Sequence, residues 1–233
     1  MAKNPQHCYL CGELLTKPTN VDHVPPKQIY AAAIRKTDNT SKLLTITVHR
    51  NCNKSYQIDE DYFIHTLMPF APGSYAGNAV FNEKIARYEE SKNTALMYKV
   101  LNEFDEKPNN IILPPGKIAK HFEGCRINRV VWKIVRGLHF HHHRQIIPEE
   151  IKRWVTITPP GESPPEHFAV FMQQPGNDAR GIYPGAFDYR FRTFNVQGGY
   201  LHYWAILLWD RIIITLIFHA PSDFGSLPSD SQS

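Results

Sequence analysis

The sequence has no apolar run long enough to cross a membrane. Its longest runs are Tyr203 to Leu208 and Ile212 to Phe218, and two charged residues lie between them. A membrane-spanning helix needs about 20 consecutive apolar residues. The seven residues before Cys8 also lack the apolar segment of an export signal, so we expect no membrane partner and a reducing, cytoplasmic location.

The composition has no extreme that would place the chain outside the globular proteins. Its 233 residues include 18 Pro, 13 Gly and 12% aromatic residues, which excludes a low-complexity or mainly disordered chain. The net charge of +4 is small, and no P-loop or dinucleotide-binding motif occurs. Residues 111–158 nevertheless carry nine basic and three acidic side chains, so positive charge is concentrated there.

Cysteines are few and unevenly placed. Cys8 and Cys11 form a CxxC motif, and Cys52 ends an HxxC motif that begins at His49. Two such knuckles, about 40 residues apart, supply the four ligands of a tetrahedral structural zinc site. We therefore predict structural Zn²⁺ on these four residues, with Gly12 permitting the tight turn of the first knuckle.

The segment between the knuckles contains an Asp22-His23 pair and has a recognisable element order. Residues 21–24 favour a short strand ended by two prolines, Leu43 to Val48 alternates like a second strand, and Asn53 to Met68 has helical spacing. The order is knuckle, strand, strand, knuckle, helix. Neighbouring strand residues point to opposite faces, so Asp22 and His23 can share one site only if the strand is distorted there.

The stretch from about residue 7 to residue 68 resembles the HNH endonucleases, whose ββα-metal module is frequently braced by zinc on two knuckles. The resemblance implies that Asp22 and Asn53 hold a catalytic Mg²⁺ or Mn²⁺ and that His23 is the general base toward water. Two departures from the family pattern are evident. His49 replaces the more usual knuckle cysteine, and Asn53 stands where many members have histidine. The family's middle Asn has no identified counterpart.

The chemistry of phosphodiester hydrolysis agrees with these roles. A histidine with a pKa near neutrality can take a proton from water, and a cation held by carboxylate and amide oxygens supplies positive charge. General-base catalysis contributes about 10²- to 10⁴-fold in rate, so replacing His23 should nearly abolish cleavage while the fold persists. We predict a metal-dependent endonuclease, a phosphodiester hydrolase acting on DNA in preference to RNA.

Two alternatives from other classes stay open at this point. The first is a non-catalytic zinc-ribbon module that binds nucleic acid or serves as an adaptor, and it predicts no second metal site. The second is a redox protein in which Cys8 and Cys11 form a reversible disulfide. A polar, proline-containing segment follows this CxxC, whereas a helix follows it in thioredoxin-type proteins, so zinc is favoured.

Basic residues in two regions are candidates for contact with nucleic acid. Three lie near the catalytic candidates, namely Lys27, Arg50 and Lys54. Four more recur three or four residues apart along a helix predicted from about Arg126 to His141, namely Arg126, Arg129, Lys133 and Arg136. This spacing predicts a strip that follows phosphates, although an ordinary solvated helix face explains it equally well.

Two further clusters have both a functional and an ordinary interpretation. The run Asp59-Glu60-Asp61 could add metal ligands, but solvated acids on a helix face are favoured. The residues His139, His141, His142 and His143 could form another metal site, but surface or strand-edge histidines are favoured.

The whole chain is predicted to be an α+β protein with a small N-terminal zinc-braced module. The predicted divisions are an HNH nuclease module at 1–68, a linker and helix at 69–110, an α+β domain at 111–221 and a disordered tail at 222–233. An antiparallel sheet is expected in the third division. Its predicted strands are Trp154–Thr158, Phe168–Gln173, Phe187–Phe194, Tyr200–Trp209 and Arg211–His219.

Overall fold

The computed structural model describes residues 6–37, 43–90, 94–176, 180–181 and 185–221. They form a mixed helix-and-sheet protein whose sheets are all antiparallel. The helices are α1 (Ala32–Thr37), α2 (Arg50–Lys54), α3 (Gln57–Leu67), α4 (Tyr75–Glu89), α5 (Thr94–Leu101), α6 (Gly124–His143) and α7 (Glu166–Met172). The strands are β1 (Thr19–His23), β2 (Thr45–His49), β3 (Phe104–Asp105), β4 (Ala119–Lys120), β5 (Arg153–Thr158), β6 (Phe187–Val196), β7 (Gly199–Leu208) and β8 (Ile212–Pro221).

The N-terminal part has the predicted order of two strands and a helical region. Strands β1 and β2 pair from Thr19 opposite His49 to His23 opposite Thr45. The predicted helix is in fact two, because α2 ends at Lys54 and α3 begins only at Gln57. Asn53 therefore lies inside the short helix α2, and the expectation that it begins the longer helix is corrected.

The basic helix predicted near residues 126–141 is α6, which extends over 20 residues. Its middle, residues 130–139, is buried on every side, so α6 is a helix of the protein interior rather than a surface helix with one apolar face. Gly137 lies where α6 packs tightly against Tyr9 and Val24 of the N-terminal part. A Cβ atom added there would lie 2.7 Å from Cγ2 of Val24 and 3.3 Å from Cζ of Tyr9.

The C-terminal sheet has the strand order β5-β8-β7-β6. Four of the five predicted strands are confirmed with small shifts of their ends. The fifth is wrong, because the segment around Phe168–Gln173 is helix α7. Phe168, Phe171 and Met172 pack together with Tyr203 of β7, and their spacing of three and four residues is helical. A short apolar run alone does not distinguish strand from helix.

A single buried cluster contains residues from Cys8 to Ala220, so the predicted divisions share one core. The segment 69–110 contains α4 and α5 in place of one helix and a linker, and its Ala71, Ala76 and Val80 belong to that core. Trp209 donates a hydrogen bond from Nε1 to the carbonyl of Ile29 at 2.8 Å.

The predicted tail at 222–233 lies outside the described residues. In the part that is described, no helix is long and apolar enough to cross a bilayer.

Candidate functional site

The two predicted knuckles meet in space. One potential ligand atom from each of Cys8, Cys11, His49 and Cys52 lies within 4.8 Å of all the others. In the first knuckle the N–H of Gly12 donates to the carbonyl of Cys8 at 2.8 Å, and Gly12 has a φ of +81°, which suits the tight turn expected there. In the second, β2 ends at His49 and α2 begins at once, which brings Cys52 to the same side one turn later. The prediction that these four residues could hold a metal is confirmed.

His49 is oriented by both of its ring nitrogens. Nδ1 lies 3.3 Å from the sulfur of Cys11, and Nε2 lies 3.1 Å from both the carbonyl oxygen of Leu14 and the backbone nitrogen of Thr16, so it can donate to the first or accept from the second. A metal on Nδ1 would leave the proton on Nε2, where it can donate to Leu14. Metal-binding histidines commonly have such a partner for the second nitrogen, since it fixes the tautomer and the ring orientation.

The thiols of the cluster are crowded. Burial, followed by the neighbouring Cys11 and Cys8 thiols, raises the pKa of Cys52 to about 12. All four cysteines of the chain are free. A divalent cation among these sulfurs would favour their thiolate forms, because metal binding displaces the thiol protons.

The three predicted catalytic residues line one cavity of about 390 Å³. Asp22 and His23 reach it from the end of β1, and Asn53 reaches it from α2. The other lining residues are Asn20, Val21, Pro26, Lys27, Gln28, Gln57, Glu60 and Asp61. The cavity wall is thus rich in oxygen donors, the ligand type that Mg²⁺ and Mn²⁺ prefer.

Asn53 is held in place by the neighbouring strand. Its side-chain nitrogen Nδ2 donates to the carbonyl of Val21 at 3.2 Å, and the residue is 9% exposed. This hydrogen bond uses the amide nitrogen, which leaves the amide oxygen as the atom able to coordinate a cation.

His23 is half-buried at the cavity wall. Burial, followed by the positive charge of Lys27, lowers the pKa of His23 below its ordinary value. The imidazole is therefore predominantly neutral at pH 7, which is the form that can accept a proton.

Asp22 is the most enclosed of the three. Its Oδ1 accepts from Nζ of Lys133 at 2.6 Å, and its Oδ2 accepts from the hydroxyl of Tyr9 at 2.5 Å. Burial, and then the carboxylate of Asp22, raise the pKa of the Tyr9 phenol well above its ordinary value, so the hydroxyl stays protonated and donates. Lys133 also pairs with Glu60 at the cavity wall. No sequence pattern indicates the contact between Asp22 and Lys133, since the two residues are 111 positions apart.

The predicted basic strip on α6 is not one exposed surface. Lys133 and Arg136 are 1% and 2% exposed, and Arg136 donates to the carbonyls of Tyr9, Leu10 and Ile147. Their predicted contact with nucleic acid is corrected, because both side chains are engaged in the interior. Arg126 and Arg129 are partly exposed and pair with Asp59 on α3.

The other basic candidates have a different setting. Lys27 is exposed and lines the cavity, while Arg50 and Lys54 are exposed outside it. Contact of these three residues with nucleic acid stays a prediction, as it does for Arg126 and Arg129.

The acidic run on α3 is not a solvated face. Asp59 pairs with Arg126 and Arg129, Glu60 with Lys133, and Asp61 accepts a hydrogen bond from Gln28. The favoured interpretation was wrong for Asp59 and Glu60, whose side chains are only 15% and 14% exposed.

The histidine run is the end of α6, where His139, His142 and His143 lie against the C-terminal sheet and His141 is exposed. His139 is 1% exposed, and its ring centre lies 4.5 Å from that of His143 and 5.5 Å from that of His202. The interpretation as a surface or strand-edge residue is thus wrong for His139. Across the described ranges, only the knuckle group brings three or more ligand atoms within 4.8 Å of one another.

A larger cavity of about 1000 Å³ lies beside β2 and the end of α6. Thr45, Thr47, Phe140 and Arg144 are among the described residues that line it, and none of the three predicted catalytic residues is among them. We assign the candidate chemistry to the smaller cavity, because Asp22, His23 and Asn53 all border it.

Comparison of the chain with family models, with curated proteins and with solved structures found no match.

Proposed function

We propose that the chain is a metal-dependent endonuclease of the HNH type that hydrolyses phosphodiester bonds in DNA. The observation that carries the proposal is the shared cavity of Asp22, His23 and Asn53, beside a cluster of four metal-ligating side chains. The resemblance over residues 7–68 assigns a role to each of these seven residues.

In this proposal two of the cavity residues bind the cation and the third is the general base. The Asp22 carboxylate and the Asn53 amide oxygen hold Mg²⁺ or Mn²⁺, which supplies positive charge to the phosphate under attack. His23, neutral at pH 7, accepts the proton of the attacking water. Lys27, exposed at the same cavity, is suited to hold a neighbouring phosphate of the substrate.

The knuckle cluster serves as a structural zinc site in this proposal. Three thiolates and one imidazole are a typical closed tetrahedral donor set for Zn²⁺. The cluster connects the loop before β1 with the junction of β2 and α2, so zinc would fix both strands relative to Asn53. The reducing, cytoplasmic location expected from the sequence would keep these thiols available for metal.

The test is cleavage of plasmid, single-stranded and branched DNA by zinc-loaded protein with Mg²⁺ or Mn²⁺. We expect nicking by the wild type and a loss of about 10²- to 10⁴-fold in His23→Ala. His121→Ala is a matched control, because His121 is a surface histidine with a side chain 61% exposed. No cleavage of any substrate by the wild type, or equal rates for His23→Ala, would refute the catalytic role.

One observation favours a second candidate, the non-catalytic zinc-ribbon module. Lys133 already places an ammonium group 2.6 Å from Asp22, and this charge opposes the approach of a divalent cation. The two candidates differ in binding at the cavity. Calorimetry of zinc-loaded protein should show Mn²⁺ uptake that Asp22→Asn removes if the endonuclease proposal holds, and no such uptake if the module only binds nucleic acid.

A further inference from the structure

The Asp22 carboxylate is fixed from two directions by buried donors. The Tyr9 hydroxyl contacts Oδ2 at 2.5 Å, and the Lys133 ammonium contacts Oδ1 at 2.6 Å. Tyr9, Asp22 and Lys133 are 0%, 3% and 1% exposed. The two oxygens of a carboxylate offer about four lone-pair positions. The bonds from Tyr9 and Lys133 therefore set the orientation of the Asp22 carboxylate and still leave lone pairs for a cation.

Tyr9 is itself held by both the knuckle and helix α6. It lies between the ligands Cys8 and Cys11, so the position of its backbone is set by the metal cluster. The carbonyl oxygen of Tyr9 accepts from Nη2 of Arg136 at 3.0 Å, and its ring stacks on Phe140 with centres 6.2 Å apart. These contacts fix the position of Tyr9, and with it the hydroxyl that donates to Asp22.

We infer that Tyr9 is a positioning residue that links the knuckle to the cavity by holding the Asp22 carboxylate in the orientation that binds the divalent cation. This inference rests on the proposed function. Hydrogen-bond partners of metal-ligating side chains orient them, and losing such a partner typically weakens metal binding or activity by about 10- to 100-fold.

The opposing interpretation is that Tyr9 is an ordinary core tyrosine whose hydroxyl happens to find an acceptor. Both interpretations predict some loss of stability when the hydroxyl is removed. They differ in metal affinity, because only a positioning role connects this hydroxyl to the binding of a cation.

The experiment measures Mn²⁺ binding to the zinc-loaded full chain by calorimetry, with the electron paramagnetic resonance spectrum of bound Mn²⁺ as a second readout. We expect Tyr9→Phe to keep its zinc and to bind Mn²⁺ about 10- to 100-fold more weakly. Tyr62→Phe is the matched control. Tyr62 is equally buried and donates to the carboxylate of Glu103, and neither residue lines the cavity, so the Mn²⁺ affinity of this variant should equal that of the wild type.

The outcomes separate the inference from the function on which it rests. Wild-type Mn²⁺ affinity in a folded, zinc-loaded Tyr9→Phe protein overturns the inference. An equal loss in Tyr62→Phe also overturns it, because the effect would then come from general destabilisation. Asp22→Asn tests the function itself, and wild-type Mn²⁺ binding in that variant would refute the cation site whatever Tyr9→Phe does.

Discussion

Lys133 illustrates how one buried charge organises the candidate site. Its ammonium lies between Asp22 and Glu60, and the three side chains are 1%, 3% and 14% exposed. An ion pair at this depth contributes little net stability, because desolvation offsets much of the attraction. Removing one partner is costly, since the remaining charges stay buried without compensation.

We therefore predict that Lys133→Met lowers the free energy of unfolding by about 3–5 kcal/mol. Urea unfolding of the zinc-loaded protein, followed by tryptophan fluorescence, measures the change. The double variant Lys133→Met/Glu60→Gln should be more stable than Lys133→Met, because it leaves one uncompensated carboxylate in place of two. A Lys133→Met protein as stable as the wild type would contradict the buried pairing.

The role of a residue could be predicted when its partners are close to it in the sequence. The metal ligands were predictable, because each knuckle is a motif of four consecutive positions. Asp22, His23 and Asn53 followed from their positions relative to the knuckles. Tyr9 and Lys133 could not be assigned, since nothing in their immediate sequence indicates contact with Asp22.

At the scale of elements, helix α6 depends on a residue without a side chain. Gly137 allows the helix to approach β1 and the first knuckle, where a Cβ atom would overlap the stiff side chain of Val24 at 2.7 Å. Alanine has the higher helix propensity by about 1 kcal/mol. The overlap opposes this gain, because overpacking a well-filled core costs about 1–3 kcal/mol.

We expect Gly137→Ala to lower the melting temperature, and Gly124→Ala to leave it unchanged or raise it slightly. Gly124 is the control on the same helix, because a Cβ atom added there meets nothing within 4 Å. Calorimetry of the two zinc-loaded variants makes the comparison. Equal melting temperatures for the two variants would show that α6 does not pack as closely on Val24 as described.

The histidines between α6 and the sheet predict a dependence of stability on pH. Burial, followed by neighbouring His143, lowers the pKa of His139 to about 3, and burial with His143 lowers that of His202 to about 4. Unfolded histidine titrates near 6.5. The stabilising effect of the neutral rings is therefore complete above about pH 6.5 and is lost as the pH falls toward 4.

We predict that His139→Leu reduces the loss of stability between pH 6.5 and 4 by about 1 kcal/mol or more for each pH unit. Urea unfolding across this range measures it. The thiolate ligands also take up protons in acid, but they do so equally in wild type and variant. Surface His121→Gln should keep the wild-type dependence, and a matching curve for His139→Leu would exclude this source.

The helices and strands were predictable where a periodic pattern of apolar residues extends over many positions. Helix α6 and the long strands β6, β7 and β8 have enough residues to establish a period. The short run at α7 does not, and the break between α2 and α3 has no proline or glycine to signal it.

At the scale of the molecule, the N-terminal part shares one buried core with the helices and sheet that follow it. Val24 and Tyr9 contact Gly137 of α6, and the carbonyl of Ile29 accepts its hydrogen bond from Trp209 of the C-terminal sheet region. Arg136 supplies donors to the first knuckle. A resemblance confined to residues 7–68 therefore does not imply that these residues fold alone.

We predict that a fragment of residues 6–68 loaded with zinc does not fold cooperatively, whereas the full chain does. Without α6, the Asp22 carboxylate has no ammonium partner. Apolar side chains of residues 6–68 that belong to the shared core would also be exposed to water. The measurement is the dispersion of the amide NMR spectrum together with a thermal melt of each protein. A dispersed spectrum and a sharp melt for the fragment would show that zinc and the hairpin suffice. In that case Lys133 and Arg136 would be additions to a complete module, and the candidate site would not need helix α6 to form.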